Sequence, residues 1–188
     1  MSTCPVSPQM IAEVVGGVEP AFSQADALQI HQLTGGVSNL TFRVLVGSHT
    51  AIIRCPPPGR KAKTAHNMVR EAKMIRSIRP HYPYCPRVMA VAGDEDPAWF
   101  AMEQISGIIA RRPLEIRLSK EQARKLCHSF VDRFSELHAI PLQSPELRSI
   151  GTPVGYVERQ ISGWSKRYRD VRTEDVPTAE RVMAWLEA

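Results

Sequence analysis

The sequence predicts an α+β fold: an antiparallel five-stranded sheet with one main helix, followed by a helical segment. Three observations carry this expectation. Between residues 28 and 55, apolar and polar residues alternate in runs separated by short turns, which is the period of strands. From 64 to 78 the period changes to that of a helix, and two more strand-like runs follow before residue 106. Beyond Ser106-Gly107 the apolar residues recur at helical spacing. With 188 residues, 43% of them hydrophobic and 23% charged, the chain can bury a core, and collagen, coiled coil and low-complexity disorder are excluded.

Taken in order, Ser7 to Val15 reads as a helix, with Pro8 near its start and Gly16-Gly17 as its stop. Pro20 to Ala27 is a connector. Leu28 to Leu33 alternates as a half-buried strand does, and Thr34-Gly35-Gly36-Val37-Ser38-Asn39 is a glycine-bearing turn. Leu40 to Val46 is a second strand with Leu40, Phe42, Val44 and Val46 on one face. Gly47-Ser48-His49 turns the chain into a third strand, Ala51 to Cys55, which the prolines at 56–58 end. Three strands joined by short turns make an antiparallel meander.

The helix predicted over 64–78 has Met68, Ala72, Ile75 and Ile78 on one side, and Pro80, Pro83 and Pro86 break the chain after it. Arg87 to Ala92 and Trp99 to Ile105 are the fourth and fifth strands, separated by an acidic turn over 93–97. Ser119, with Gln122 three residues on, forms a capping box that opens a helix from Lys120 to His138. Its apolar stripe is Ala123, Leu126, Cys127, Phe130, Phe134 and Leu137. A loop to Pro153, a helix around Val154 to Tyr168 and a last helix from Pro177 through Val182 and Trp185 complete the chain. The organisation predicted is an N-terminal helix and connector (1–27), a sheet lobe (28–105) and a hinge with a helical lobe (106–188).

Charge and cysteine narrow the function classes. The net charge is +5, and the 24 basic residues comprise 18 Arg and 6 Lys. An arginine excess suits phosphate binding, because the guanidinium fork grips phosphate oxygens in pairs, but GC-rich coding produces the same bias. The basic residues are scattered rather than gathered in a stripe, which argues against a nucleic-acid partner. Cys4, Cys55, Cys85 and Cys127 form no CxxC pair and no zinc spacing with histidine. The N-terminus lacks the basic start and apolar core of a signal peptide, and no apolar run approaches the roughly 20 residues that span a membrane. A cytoplasmic compartment and no membrane partner are expected.

Five features fall in a meaningful order: the Gly35-Gly36-Val37-Ser38-Asn39 turn, Arg54 at the end of an apolar strand, Glu71 on the next helix, the strand exit Met102-Glu103-Gln104-Ile105-Ser106-Gly107, and Leu137-His138 closing the long helix. Each alone has a plain structural reading: a hairpin, an edge cation, a solvated acid, a strand end and a helix C-terminal cation. Together they are the parts of a nucleotide lobe, in which glycines let backbone N–H groups approach an anion and an acid steadies a cation aimed at phosphate.

In this order the chain resembles the aminoglycoside phosphotransferase family, of protein-kinase-like fold, and within it the branch of small-molecule kinases related to the domain fused to some acyl-CoA dehydrogenases. The matching stretches are Leu33 to Asn39, Ile53-Arg54 with Pro57-Pro58-Gly59, Arg70-Glu71, Met102-Glu103 with Gly107, Leu137-His138, and Gly155-Tyr156 with Arg159-Gln160 and Trp164. The resemblance implies that Gly35, Gly36, Ser38 and Asn39 cover the phosphates of ATP. It implies that Arg54 takes the place of a strand-three lysine with Glu71 as its partner, and that Glu103 to Ile105 line the adenine slot through their backbone. The implied partners are a nucleotide and a small hydroxylated acceptor, with ATP and magnesium as the family's cofactors.

The family's second lobe supplies a catalytic Asp in a His-Gly-Asp stretch, a later Asn and a further Asp for magnesium. The aspartates here are Asp26, Asp94, Asp96, Asp132, Asp170 and Asp175, the only asparagines are Asn39 and Asn67, and no His-Gly-Asp occurs. No catalytic residue and no magnesium ligand is therefore assigned. The expectation is the N-terminal part of a phosphotransferase with a truncated helical lobe, inactive alone. The alternatives are a nucleotide-binding pseudokinase, a partner-binding module, and one half of a split enzyme.

Overall fold

The centre of the sheet is a hairpin that the sequence specifies tightly. Strands β2 (Leu40–Val46) and β3 (His49–Cys55) pair antiparallel from Leu40↔Cys55 to Val46↔His49. The turn between them is only Gly47-Ser48, and Gly47 sits at φ 55°, the left-handed conformation a two-residue hairpin turn needs. The computed structural model describes residues 4–34, 39–58, 66–93, 98–109, 117–152 and 154–188. In it β1 (Gln29–Leu33) pairs with β2, β5 (Trp99–Glu103) pairs with β3, and β4 (Val88–Ala92) pairs with β5, every pair antiparallel. The order β1-β2-β3-β5-β4 is the predicted five-stranded sheet, and with the helices around it gives the predicted kinase-like α+β architecture.

Alternation divides the sheet into two apolar faces. One face carries Phe42, Val44, Ala51, Ile53, Cys55, Trp99 and Ala101. It is covered by the N-terminal segment, where helix α1 (Pro8–Val14) and the 3-10 turn Pro20–Phe22 bring in Ile11, Val15 and Phe22. Ser7 caps α1 by accepting from the Met10 N–H at 3.2 Å. The other face carries Val88 and Phe100 and is covered by Met68 and Ala72 of α2 (Met68–Ile78). A register shift between Val88 and Ala90 lets Met89 and Ala90, neighbours in sequence, both join the first face.

Several boundaries differ from expectation for local reasons. Helix α2 begins at Met68, not at 64, because Asn67 caps it by accepting from the Arg70 N–H at 2.8 Å while His66 before it stands at φ 60°. Residues 59–65 lie outside the described residues, as does the expected acidic turn at 94–97. Strand β5 ends at Glu103 rather than Ile105. Strand β1, an edge strand, is mostly exposed; Ile30 is its residue packed against the core, together with Leu28 just before the strand.

Helix α3 (Lys120–His138) has the expected bounds and capping box, with Gln122 N–H donating to Ser119 Oγ at 3.2 Å and Ser119 N–H to Gln122 Oε1 at 2.8 Å. Its apolar stripe, however, stays largely in solvent: Leu126, Phe130 and Phe134 are more than half exposed. The rings shield one another instead, Phe130 stacking on Phe134 at 6.1 Å and Phe134 tilting over His138 at 4.3 Å. Arg133 lies over the Tyr84 ring at 4.9 Å and donates to its hydroxyl, tying α3 to the loop before β4.

Contacts divide the chain into two units, Met1–Leu147 and Arg148–Ala188. The second holds α5 (Tyr156–Val171) and α6 (Pro177–Glu187); a single turn, α4 (Pro145–Arg148), precedes them. Gly155 at φ 68° makes the turn that delays α5 to Tyr156, and the helix runs past Tyr168 to Val171. Arg169 pairs with Glu180 at 3.0 Å and Arg172 with Glu180 at 2.9 Å, bracing α5 against α6. Met183 is the buried residue of α6, whereas Val182 and Trp185 are exposed. Among the described residues no helix is long and apolar enough to cross a membrane.

Two outcomes follow from this packing. Ile11 is fully buried between α1 and the sheet, so Ile11→Ala is expected to lower unfolding free energy by about 2–5 kcal/mol in a denaturant titration. Cys127 is exposed, Cys55 is buried, and burial pushes the Cys4 and Cys85 thiols up, leaving less thiolate at a given pH. At pH 8 a thiol reagent is therefore expected to modify Cys127 first, then Cys4 and Cys85, with Cys55 last, as read by peptide mass mapping over time.

Candidate functional site

Arg54 owes its position to β3. Because Ala51, Ile53 and Cys55 face the N-terminal segment, Ile52 and Arg54 must face the side covered by α2. Cross-strand neighbours set the surroundings: Arg54 stands opposite Phe100 and Thr41, and Ile52 opposite Met102 and Arg43. Glu71, in the first turn of α2, reaches back so that its Oε1 lies 3.1 Å from Arg54 Nε. Both side chains are about 30% exposed, so the pair adds at most about 1 kcal/mol to stability. Its effect is to fix the direction of the guanidinium while leaving the group within reach of solvent.

The second carboxylate oxygen is used as well. Asn39, the last residue of the glycine turn, donates from Nδ2 to Glu71 Oε2 at 3.3 Å. On the other side of the same amide, Oδ1 lies 2.6 Å from His66 Nδ1. A continuous polar line thus runs His66, Asn39, Glu71, Arg54, and joins the end of the glycine turn, the start of α2 and the end of β3. Three of the residues predicted for the site, Asn39, Arg54 and Glu71, are brought together. Gly35, Gly36 and Ser38 lie outside the described residues. His66 did not stand out in the sequence; the only trace was a histidine directly before a good N-cap.

Glu103 and Ile105 stand where the sheet runs out. The Glu103 N–H donates to the Arg87 carbonyl at 2.9 Å, and the Glu103 carboxylate accepts from the Arg87 N–H at 2.8 Å. The same carboxylate oxygen lies 3.2 Å from Arg79 Nη1 at the end of α2, and Arg87 reaches Glu19 at 2.8 Å. The exit of β5 is thereby pinned to α2, to β4 and to the N-terminal segment. Ile105, two residues on, is exposed.

Chemically, this arrangement can hold an oxyanion. A guanidinium presents a planar fork of donors whose geometry matches the paired oxygens of a carboxylate or phosphate. Among the described residues no group of three or more His, Cys, Asp or Glu side chains could hold a metal ion.

Residues 29–188 match the model of the phosphotransferase enzyme family. The chain is 31% identical over 166 residues to acyl-CoA dehydrogenase family member 11 of Homo sapiens, covering 85% of this chain and 21% of that protein. It is 28% identical over 176 residues to the Gallus gallus member 11, covering 89% of this chain and 22% of that protein. It is 25% identical over 162 residues to family member 10 of Mus musculus, covering 85% and 15%. The chain thus spans about a fifth of the length of these member 11 relatives. With the match running through the glycine turn, Arg54, Glu71 and the helices beyond, the chain belongs to the phosphotransferase enzyme family.

Proposed function

We propose that these 188 residues are the nucleotide-gripping part of an ATP-dependent small-molecule phosphotransferase and do not transfer phosphate by themselves. The observation that carries the reading is the Arg54–Glu71 pair at 3.1 Å, a fixed and solvent-reachable cation beside the end of a glycine turn. Gly35, Gly36, Ser38 and Asn39 cover the phosphates, Arg54 neutralises their charge, and Glu71 holds Arg54 in line. Ile52 and Met102, neighbours on the α2 side of the sheet, offer an apolar wall for a flat base. The backbone of Glu103 to Ile105 offers the base its hydrogen-bonding edge.

The residues for transfer are the missing element. Phosphoryl transfer depends on positioning the acceptor hydroxyl and neutralising charge with metal. The sequence holds no His-Gly-Asp and no Asn after Asn67, and Asp132, on α3, is exposed. The reading therefore has a small hydroxylated acceptor and magnesium engaged by residues other than these. The dehydrogenase named for the relatives is not carried to this chain, because the matched portion falls under the phosphotransferase model. A cytoplasmic setting suits four free thiols.

Calorimetric titration of the purified protein with ATP and with ADP tests the nucleotide reading. Binding is expected, and Arg54→Ala is expected to weaken it about tenfold or more, the worth of a charge-assisted hydrogen bond to phosphate. Absence of binding by the wild type would overturn it. Glu71→Gln is expected to weaken nucleotide binding while changing unfolding free energy by less than about 1 kcal/mol, since the pair is part-exposed. An assay for ADP release with magnesium and hydroxylated acceptors is expected to show no turnover; sustained turnover would refute the claim that the transfer residues are absent.

A further inference from the structure

We propose that His66 is a positioning residue of this site: acting through Asn39, it holds the Glu71 carboxylate in the orientation that aims Arg54. Its geometry stands on its own, and its functional consequence rests on the nucleotide reading above.

The direction of each hydrogen bond follows from what the groups can do. An ionised carboxylate only accepts, so Asn39 must turn its NH2 toward Glu71, as it does at 3.3 Å. That turns Oδ1 toward His66, 2.6 Å away, and an amide oxygen also only accepts. His66 must therefore carry a proton on Nδ1. Glu71 alone already favours this amide orientation, and the His66 donor adds a second restraint that fixes where the amide sits between the two. His66 and Glu71 grip Asn39 from both sides, and both belong to one rigid piece. Asn67, directly after His66, caps α2 through Arg70 N–H at 2.8 Å, and the Glu71 N–H donates to the Asn67 carbonyl at 3.1 Å.

The backbone adds an independent observation. His66 stands at φ 60°, a conformation that costs a residue with a Cβ energy and that glycine takes without penalty. A residue serving only the turn would be better replaced by glycine. Histidine at this angle is explained by what its ring does.

The experiment compares wild type, His66→Gly and His66→Asn as full chains. Glycine keeps the turn and removes the donor. Asparagine tolerates the angle and carries an amide N–H at the same distance along the side chain as imidazole Nδ1. Three quantities are read: the unfolding temperature, the Arg54 Nε–H resonance in nitrogen-15 spectra without ligand, and ATP and ADP affinity by calorimetry. H66G is expected to unfold at the wild-type temperature or above, to shift or broaden the Arg54 resonance, and to weaken nucleotide binding about fivefold, the worth of one neutral hydrogen bond. H66N is expected to restore most of both. An Arg54 resonance unchanged in H66G overturns the proposal, whatever happens to binding. If the wild type binds no nucleotide but the resonance still responds, the nucleotide reading fails and the positioning role stands. Should H66G not fold, the wild-type imidazole decides: Nδ1 found unprotonated overturns the proposal, and Nδ1 found protonated supports it.

Discussion

Everything in the sheet depends on strand β3 having no freedom to slide. It is paired on both edges, by β2 and β5, and covered on both faces. A slip of one residue would exchange those faces, sending Ile53 toward α2 and Arg54 into the core beneath the N-terminal segment. The cost of burying an unpaired guanidinium there far exceeds that of any single lost contact. The charged residue therefore works as a register pin: its place at the end of an apolar strand is tolerable in one alignment only. That alignment also sets Ile52 against Met102, and so determines which apolar side chains share a face with Arg54.

The same economy governs the polar line from His66 to Arg54. None of its members is deeply buried, and none contributes much to stability alone. What the line does is remove choices. Arg54 is restrained by Glu71, Glu71 is engaged at both oxygens, and the helix start that carries Glu71 also carries the histidine holding Asn39. A flexible cation would have to be ordered by its ligand at a cost in side-chain entropy; here the protein has ordered it beforehand. Glu103 plays a comparable part at the sheet exit, where one carboxylate ties together backbone and side chains from three elements.

Period and punctuation made the fold legible in the sequence. The strands β2 and β3 alternate cleanly, Gly47-Ser48 is a turn short enough to dictate their pairing, and Ser119 with Gln122 marks the start of α3 to the residue. Arg54 and Glu71 were legible as a pair because a cation in an apolar strand and an acid in the next helix need each other. Less was legible where the decisive interaction is distant in sequence. His66 lies 27 residues from Asn39, and no local pattern announces that contact. The apolar stripe of α3 shows a related limit: periodicity reports which residues share a face, not whether another element covers that face. The bounds of α2 and α5 moved because single residues, His66 and Gly155, take left-handed angles that composition does not reveal.

The covering of the first face has a consequence for where this domain begins. The family match starts at residue 29, which is the first residue of β1. Yet Val6, Ile11, Val15 and Phe22 lie in the same apolar cluster as Phe42, Val44 and Trp99. A boundary drawn at the start of the family match would cut through that cluster and leave one apolar face of the sheet without its cover. The region matched by the family model and the apolar cluster therefore differ in extent. The segment before residue 29 supplies the large apolar side chains that close this face, so a fragment beginning at residue 29 would lack that cover.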